Sequence, residues 1–299
     1  MHARGSYWDG VALRITPGHG LGFLLALGIL VGGCADQRLT RSLVLKPAGR
    51  TCEVVIAGVP EVGDMRLWAP EGIMSGTGAC AVYPVGSEWR EDGRAVIHEV
   101  GPEGGFGPGN FQRIGANTVE CVGIRMPVDS PVKWTTRVEP TSDGVEFGFQ
   151  VTNVGSRPIH KAAAAVCLKF FQGDWWADEH VFVRSGGQVR SLADLGRDDG
   201  PPNGFEAYLL EGESFDHVFY QQFWGFNRHR LDRPVMVSEH VGNGVCVGIE
   251  SKQAYFLHSN LHNPCTDIML AFGDIEPGHT AEASGRLWIR RGKAASFLN

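Results

Sequence analysis

From Val132 to Thr152 the chain alternates its side chains with period two, and this constrains the fold more than any other feature. In VEFGFQVT, Val145, Phe147, Phe149 and Val151 fall on one side and Glu146, Gln150 and Thr152 on the other. A β-strand points successive side chains to opposite faces, so this spacing builds one apolar and one polar face. VKWTTRVE, Val132 to Glu139, stands just before it across the turn residues PTSDG, which predicts a hairpin. The segment NVGSRP closes the hairpin, and Ala162 to Phe171 returns as an almost continuously apolar run, expected as a strand buried on both sides. The same grammar recurs towards the C-terminus. Val245 to Glu250 and Ala254 to His258 read as strands, Glu276-Pro277-Gly278 as a turn, and Thr280 to Ile289 as a last strand. The 41 glycines and 16 prolines act as punctuation between short runs. Gly101 to Gly115 and Arg184 to Asn203 are expected as loops. These features predict an all-β fold, a large antiparallel two-sheet β-sandwich with few short helices.

A different signal precedes the strands. LGFLLALGILVGGCADQ, Leu21 to Gln37, is an apolar run ending in Val31-Gly32-Gly33-Cys34. About eleven apolar or small residues suit a signal-peptide core and fall short of the roughly 20 that span a membrane. Val-Gly-Gly-Cys resembles a lipobox, so residues 1–33 are expected as a lipoprotein signal peptide and Cys34 as the lipidated mature N-terminus. Residues 34–46 are expected as a tether and 47–299 as a single β-sandwich domain. The expected address is the bacterial cell envelope, anchored to the membrane through Cys34 and facing periplasm or exterior. Hydrophobic content of 43% allows a proper core, and a net charge of -6 without a basic stretch argues against nucleic acid as a partner. The remaining cysteines, Cys52, Cys80, Cys121, Cys167, Cys246 and Cys265, contain no CxxC pair, and one disulfide at most is expected.

The hairpin with its closing TNVGSRPI and long apolar strand resembles the centre of the galactose-mutarotase-like supersandwich fold, in the manner of its secreted bacterial relatives. The tail adds CVGIESKQAYFLHSNLHNPC and DIEPGHTAEASGRLWI, where the resemblance puts a glutamate on a late strand, then an Asn-Pro loop and a Pro-Gly turn. On that resemblance Glu250 is the candidate catalytic base. Mutarotases also carry a histidine acid on the strand after the hairpin; here HKAAAAVCLKFF has alanines in its middle and only His160 at its start. Losing a general acid costs about 10²-fold or more, so mutarotation itself is not expected.

Two aromatic clusters suggest a ligand. A sugar offers flat C–H faces edged by hydroxyls, and a site for it needs indole or phenol platforms with carboxylates and amides alongside. GDWWADEH and FDHVFYQQFWGFNRHR supply Trp175, Trp176, Tyr220 and Trp224 as platforms, with Asp174, Asp178, Glu179, Gln221 and Asn227 as rim partners. The competing reading of each aromatic is core or strand-edge packing. His258, His262 and Cys265 lie together in HSNLHNPC, and His258 and His262 have the i, i+4 spacing of two ligands on one helical face, but Asn263-Pro264 and the β-type residues before them refuse the helix, so no metal is expected. No cofactor fingerprint occurs. The leading expectation is a lipid-anchored envelope protein with a carbohydrate-binding sandwich and no assignable reaction. The alternatives are a carbohydrate-active enzyme of epimerase, lyase or hydrolase type, and a structural envelope protein.

Overall fold

The computed structural model describes residues 43–47, 52–75, 86–89, 95–98, 111–125, 131–170, 177–198, 205–214, 225–240, 242–260 and 265–299. The expected signal peptide and Cys34 lie outside the described residues. The chain opens with β1 (Val44–Pro47), β2 (Glu53–Ala57) and β3 (Met65–Met74), followed by β4 (Gly86–Trp89) and β5 (Ala95–His98). Then come β6 (Gln112–Arg113), β7 (Val119–Arg125), β8 (Val132–Pro140), β9 (Gly144–Asn153) and β10 (Ile159–Phe170). β11 (Val181–Ser185), β12 (Gln188–Ser191), α1 (Leu192–Leu195), β13 (Phe205–Leu209) and β14 (Gly225–Phe226) make the next part. The last part is β15 (Val235–His240), β16 (Val245–Glu250), β17 (Ala254–Asn260), β18 (Cys265–Ile275), β19 (Thr280–Arg291) and α2 (Ala294–Leu298).

These strands make two large sheets. One has eight strands in the order β1-β2-β3-β10-β18-β17-β13-β14, the other nine in the order β12-β11-β15-β16-β19-β9-β8-β7-β6, while β4 pairs with β5. Pairing is antiparallel except between β13 and β14. The alternation read in the sequence decides which face of each strand meets the other sheet. Val145, Phe147, Phe149 and Val151 of β9 are buried with Ala164, Val166 and Leu168 of β10 in one apolar core, together with Leu257 of β17 and Ile268 of β18. The fold is the all-β, two-sheet antiparallel sandwich with two short helices.

The expected hairpin is β8 and β9, in register from Val132 opposite Asn153 to Pro140 opposite Val145. The loop expected over Arg184 to Asn203 is corrected: β11 and β12 form a second hairpin around Gly186 and Gly187, whose φ values are +60° and +77°. Adjacent glycines give that tight turn its positive φ angles without a Cβ penalty. Ser191 then caps α1, its hydroxyl accepting from the Asp194 amide while Asp194 accepts from the Ser191 amide. Of the glycine-rich loop, residues 101–110 lie outside the described residues, and Gln112–Arg113 form the short strand β6 against β7. β1 begins at Val44, within the span expected as tether, and pairs with β2 from there. Five described cysteines are buried, and no disulfide joins them among the described residues. Among them Cys52, just before β2, and Cys121 on β7 bring their Sγ atoms to 3.1 Å, joining the two sheets. Among the described residues no helix is long and apolar enough to cross a membrane.

Candidate functional site

The side of each sheet turned away from the shared core carries one cross-strand row of chemical interest. On the nine-stranded sheet, directly opposed residues give Glu139 on β8, Glu146 on β9, Arg286 on β19, Glu250 on β16 and Val235 on β15. This row lines an open groove of about 1050 Å³ whose walls include Arg137, Arg233 and Gln253. Glu250 is the candidate base of the sequence analysis, and its carboxylate is engaged on both oxygens. Arg286 Nε donates to Oε1, and Trp288 Nε1 donates to Oε2 at 3.2 Å. The Trp288 indole lies flat over Gly248, where a Cβ would come within 2.1 Å of the ring. It also packs against Phe297 of α2 and under Arg290. Glu250 is thereby held in an ion pair at the foot of a packed indole. The structure does not bring it onto the sheet of β10, the strand on which the family resemblance places a proton donor.

On the eight-stranded sheet the corresponding row reads Glu53 on β2, Trp68 on β3, Cys167 on β10, Asp267 on β18, His258 on β17 and Ala207 on β13. Ala162, Ala164, Val166 and Leu168 of β10 enter the inter-sheet core, so period two puts Cys167 and Lys169 on the opposite side. Even this outer side is largely buried, because Ala163, Ala165, Phe256 and Met269 form a second apolar cluster along it. The polar row lies at one edge of that cluster. Asp267 and His258 are 1% and 2% exposed, with His258 Nδ1 3.3 Å from Asp267 Oδ2. Cys265 donates its thiol to the same Oδ2 at 3.1 Å, whereas Oδ1 of this buried carboxyl has no hydrogen-bond partner.

Burial governs the electrostatics. Withdrawal from water pushes the Asp267 and Glu71 carboxyls above the ordinary carboxylate range, and in Glu71 the charge of Asp267 adds to the effect. The same withdrawal lowers His258 to about 3, so the imidazole is neutral near pH 7. The hydrogen bond that its thiol donates to Cys265 and burial hold Cys167 well above the usual thiol value. Cys265 is favoured as thiolate by its bond with Cys167, but burial and the neighbouring Asp267 outweigh this and push it up to about 12. At the β3 side the row reaches solvent. Trp68, Glu71 and Lys169 are half-buried, and Lys169 Nζ lies 5.8 Å from the centre of the Trp68 ring.

Trp175, Trp176, Tyr220 and Trp224 lie outside the described residues, as do Asp174, Gln221 and His262. Some of the described residues flanking them pair across strands. Lys169, beside Phe170, faces Cys265; Asn260 faces Phe205; and Glu206 faces Gly225. Glu179 is exposed in the turn before β11. Asp178 and Asn227, expected at a rim, are instead consumed in a structural network. Arg197 donates to both oxygens of Asp178 at 2.8 and 2.7 Å and to Ser259 at 3.0 Å, while Asn227 donates to Glu206 and to the Gly196 carbonyl. This network fastens the chain after α1 to β13 and β17. His160 is exposed at the far end of β10, where Nδ1 lies 3.1 Å from Asp274.

Sequence reasoning missed Trp68, Glu71 and Asp267. It weighed His258 with His262 for their helical spacing, but the partner that the structure gives His258 is Asp267, through strand pairing between β17 and β18. An acidic residue at Asp267, directly before the apolar run IMLAF, was the available signal.

A scan against protein-family models finds no match, and neither does a search of curated proteins. Among solved structures, the Slr1438 protein from Synechocystis sp. PCC 6803 is 7% identical with a TM-score of 0.42, covering 92% of this chain and 100% of that one. A galactose mutarotase related enzyme from Lactobacillus acidophilus is 9% identical with a TM-score of 0.43, covering 84% of this chain and 99% of that one. A galactose mutarotase-like protein from Lactobacillus casei ATCC 334 is 9% identical with a TM-score of 0.42, covering 83% and 99%. At such identities the chemistry has to be argued from this chain's own side chains.

Proposed function

We propose that this protein is a lipid-anchored, carbohydrate-binding β-sandwich of the bacterial cell envelope, and that glycan meets the outer face of the eight-stranded sheet. The observation that carries this reading is the half-buried group of Trp68, Glu71 and Lys169 at the solvent-facing end of the polar row. An indole offers a platform for sugar C–H groups, while a carboxyl and an ammonium beside it accept and donate hydrogen bonds to hydroxyls. Trp175, Trp176, Tyr220 and Trp224 remain proposed platforms on the strength of their sequence clusters. Glu179 remains a proposed rim partner. The anchor rests on Val31-Gly32-Gly33-Cys34 after the apolar run.

A glycan array followed by reducing-sugar release on each hit tests the activity. Binding without product is the expected result; product formation would make the protein an enzyme, and the absence of both would favour a structural envelope role. Trp176→Ala is expected to weaken binding by about 1–3 kcal/mol, the usual loss for an aromatic anchor. Metabolic labelling with a fatty-acid analogue tests the anchor: the wild type should be marked and Cys34→Ala should not.

A further inference from the structure

Two thiols and a carboxyl meet in the buried row, and together they form a donor set that the glycan reading does not use. The Cys167, Cys265 and Asp267 ligand atoms all lie within 4.8 Å of one another. All three residues are buried, at 3%, 4% and 1% exposure. Their positions follow from register: Cys167 stands directly opposite Asp267, and Cys265 lies two residues before Asp267 on the same side of β18. Asp267 Oδ1 has no hydrogen-bond partner although it is shielded from water, a costly condition for a carboxyl oxygen unless something else satisfies it.

We propose that Cys167, Cys265 and Asp267 bind a borderline divalent cation of the Zn²⁺ class, with His258 orienting the Asp267 carboxylate from outside the ligand set. Zn–S bonds of about 2.3 Å and Zn–O bonds of about 2.1 Å at tetrahedral angles put such donors roughly 3.6–3.8 Å apart. The separations present, 3.1 Å between Cys265 Sγ and Asp267 Oδ2 and none of the set above 4.8 Å, lie around those values. Two sulfurs exclude Ca²⁺ and Mg²⁺, which take oxygen ligands. Binding is a proton exchange: the cation enters, the two thiols become thiolates, and two protons leave to solvent. Two thiolates and one carboxylate then surround a dication, and the orphaned Oδ1 gains a partner either in the metal or beside it. His258, 3.3 Å from Oδ2, occupies the place of the outer group that commonly fixes a metal-bound carboxylate. Three protein ligands leave one tetrahedral position for water or another donor. The site does not depend on whether a glycan binds nearby.

The test uses the full chain, reduced, stripped with a chelator, and titrated with Zn²⁺ or Co²⁺ in the absence of glycan. One ion per chain is expected by mass analysis, Co²⁺ should give a thiolate-to-metal charge-transfer band, and binding should release two protons. Thiol alkylation mapped by mass spectrometry should slow by about 100-fold at Cys167 and Cys265 when Zn²⁺ is at about 100 times Kd. Cys52, Cys121 and Cys246 serve as internal controls and should react as before. Cys265→Ser and Asp267→Asn should lose or shift the Co²⁺ band. If those variants do not fold, the alkylation map of the unaltered protein decides alone. An absence of stoichiometric binding, or a bound ion that leaves Cys167 and Cys265 as reactive as in the stripped protein, overturns the proposal.

Discussion

On the nine-stranded sheet, Glu139, Glu146, Arg286 and Glu250 cross four strands with their charges within reach of water; on the eight-stranded sheet, Trp68, Cys167, Asp267 and His258 cross four strands largely out of its reach. The construction is the same, since each row is a line of directly opposed residues on the side of a sheet turned away from the core. The environments differ. Arg286 is 43% exposed and pairs with a carboxylate that water also reaches, so the pair contributes little. Around Asp267 and His258 desolvation disfavours both charged forms, pushing the carboxyl up and the imidazole down. A sheet row therefore becomes a chemically distinctive site when its outer side is covered, and remains an ordinary solvated face when it is not.

The sharpest way to break this contrast is to put the same charge into each face. Ala165 of β10 lies between Gly72 and Met269 in the covered cluster and is 1% exposed. Ala165→Asp should cost about 3–5 kcal/mol, the penalty for an uncompensated buried charge. Ser284→Asp on the open groove should stay within about 0.5 kcal/mol. Urea denaturation reads both, and equal losses would mean that the two outer faces do not differ in burial as described.

A functional version asks which face takes the ligand. With a glycan identified by array, Trp68→Ala should lose about 1–3 kcal/mol of binding. Glu250→Gln should leave the affinity unchanged. The reverse pattern would move the site to the nine-stranded groove and restore Glu250 to a functional role.

Stability separates the two carboxyls further. Glu250→Gln removes the charge that Arg286 meets while preserving size, and it should cost no more than about 1 kcal/mol, as for other half-exposed ion pairs. The difference from wild type should shrink at 1 M salt, where screening acts within about 3 Å. A loss that is large and indifferent to salt would show that the Trp288–Glu250 contact, rather than the ion pair, dominates there.

The fold was legible because period two is a local signal. Phe147 and Phe149 announce a face by spacing alone, and β8, β9, β10, β16, β17 and β19 all stand where alternation or an apolar run predicts them. The β11–β12 hairpin was also written locally, in Gly186-Gly187 and the Ser191–Asp194 cap, but the surrounding polar residues masked it. The site was less legible, because it is a product of register. Trp68, Cys167, Asp267 and His258 are scattered over nearly 200 residues of chain and become neighbours only when β3, β10, β18 and β17 line up. Glu250 was read from a family-like context in the sequence, whereas the sheet that its strand joins is settled by pairing far along the chain.

The smallest expected effect is the most discriminating. Gly148 sits in the middle of β9, opposite Arg137 and Ser284, on the floor of the groove, and a Cβ there would meet nothing within 4 Å. A glycine inside a strand loses more conformational freedom on folding than alanine does, so Gly148→Ala should stabilise the protein by about 0.5 kcal/mol. If the groove is only a solvated sheet face, the added methyl touches no ligand, and glycan affinity should match wild type in the same titration. If the groove is instead the binding surface, the methyl intrudes on its floor and affinity falls although stability rises. That combination, a gain in the urea midpoint with a loss of binding, cannot arise from misfolding, and it would assign the ligand to the nine-stranded sheet.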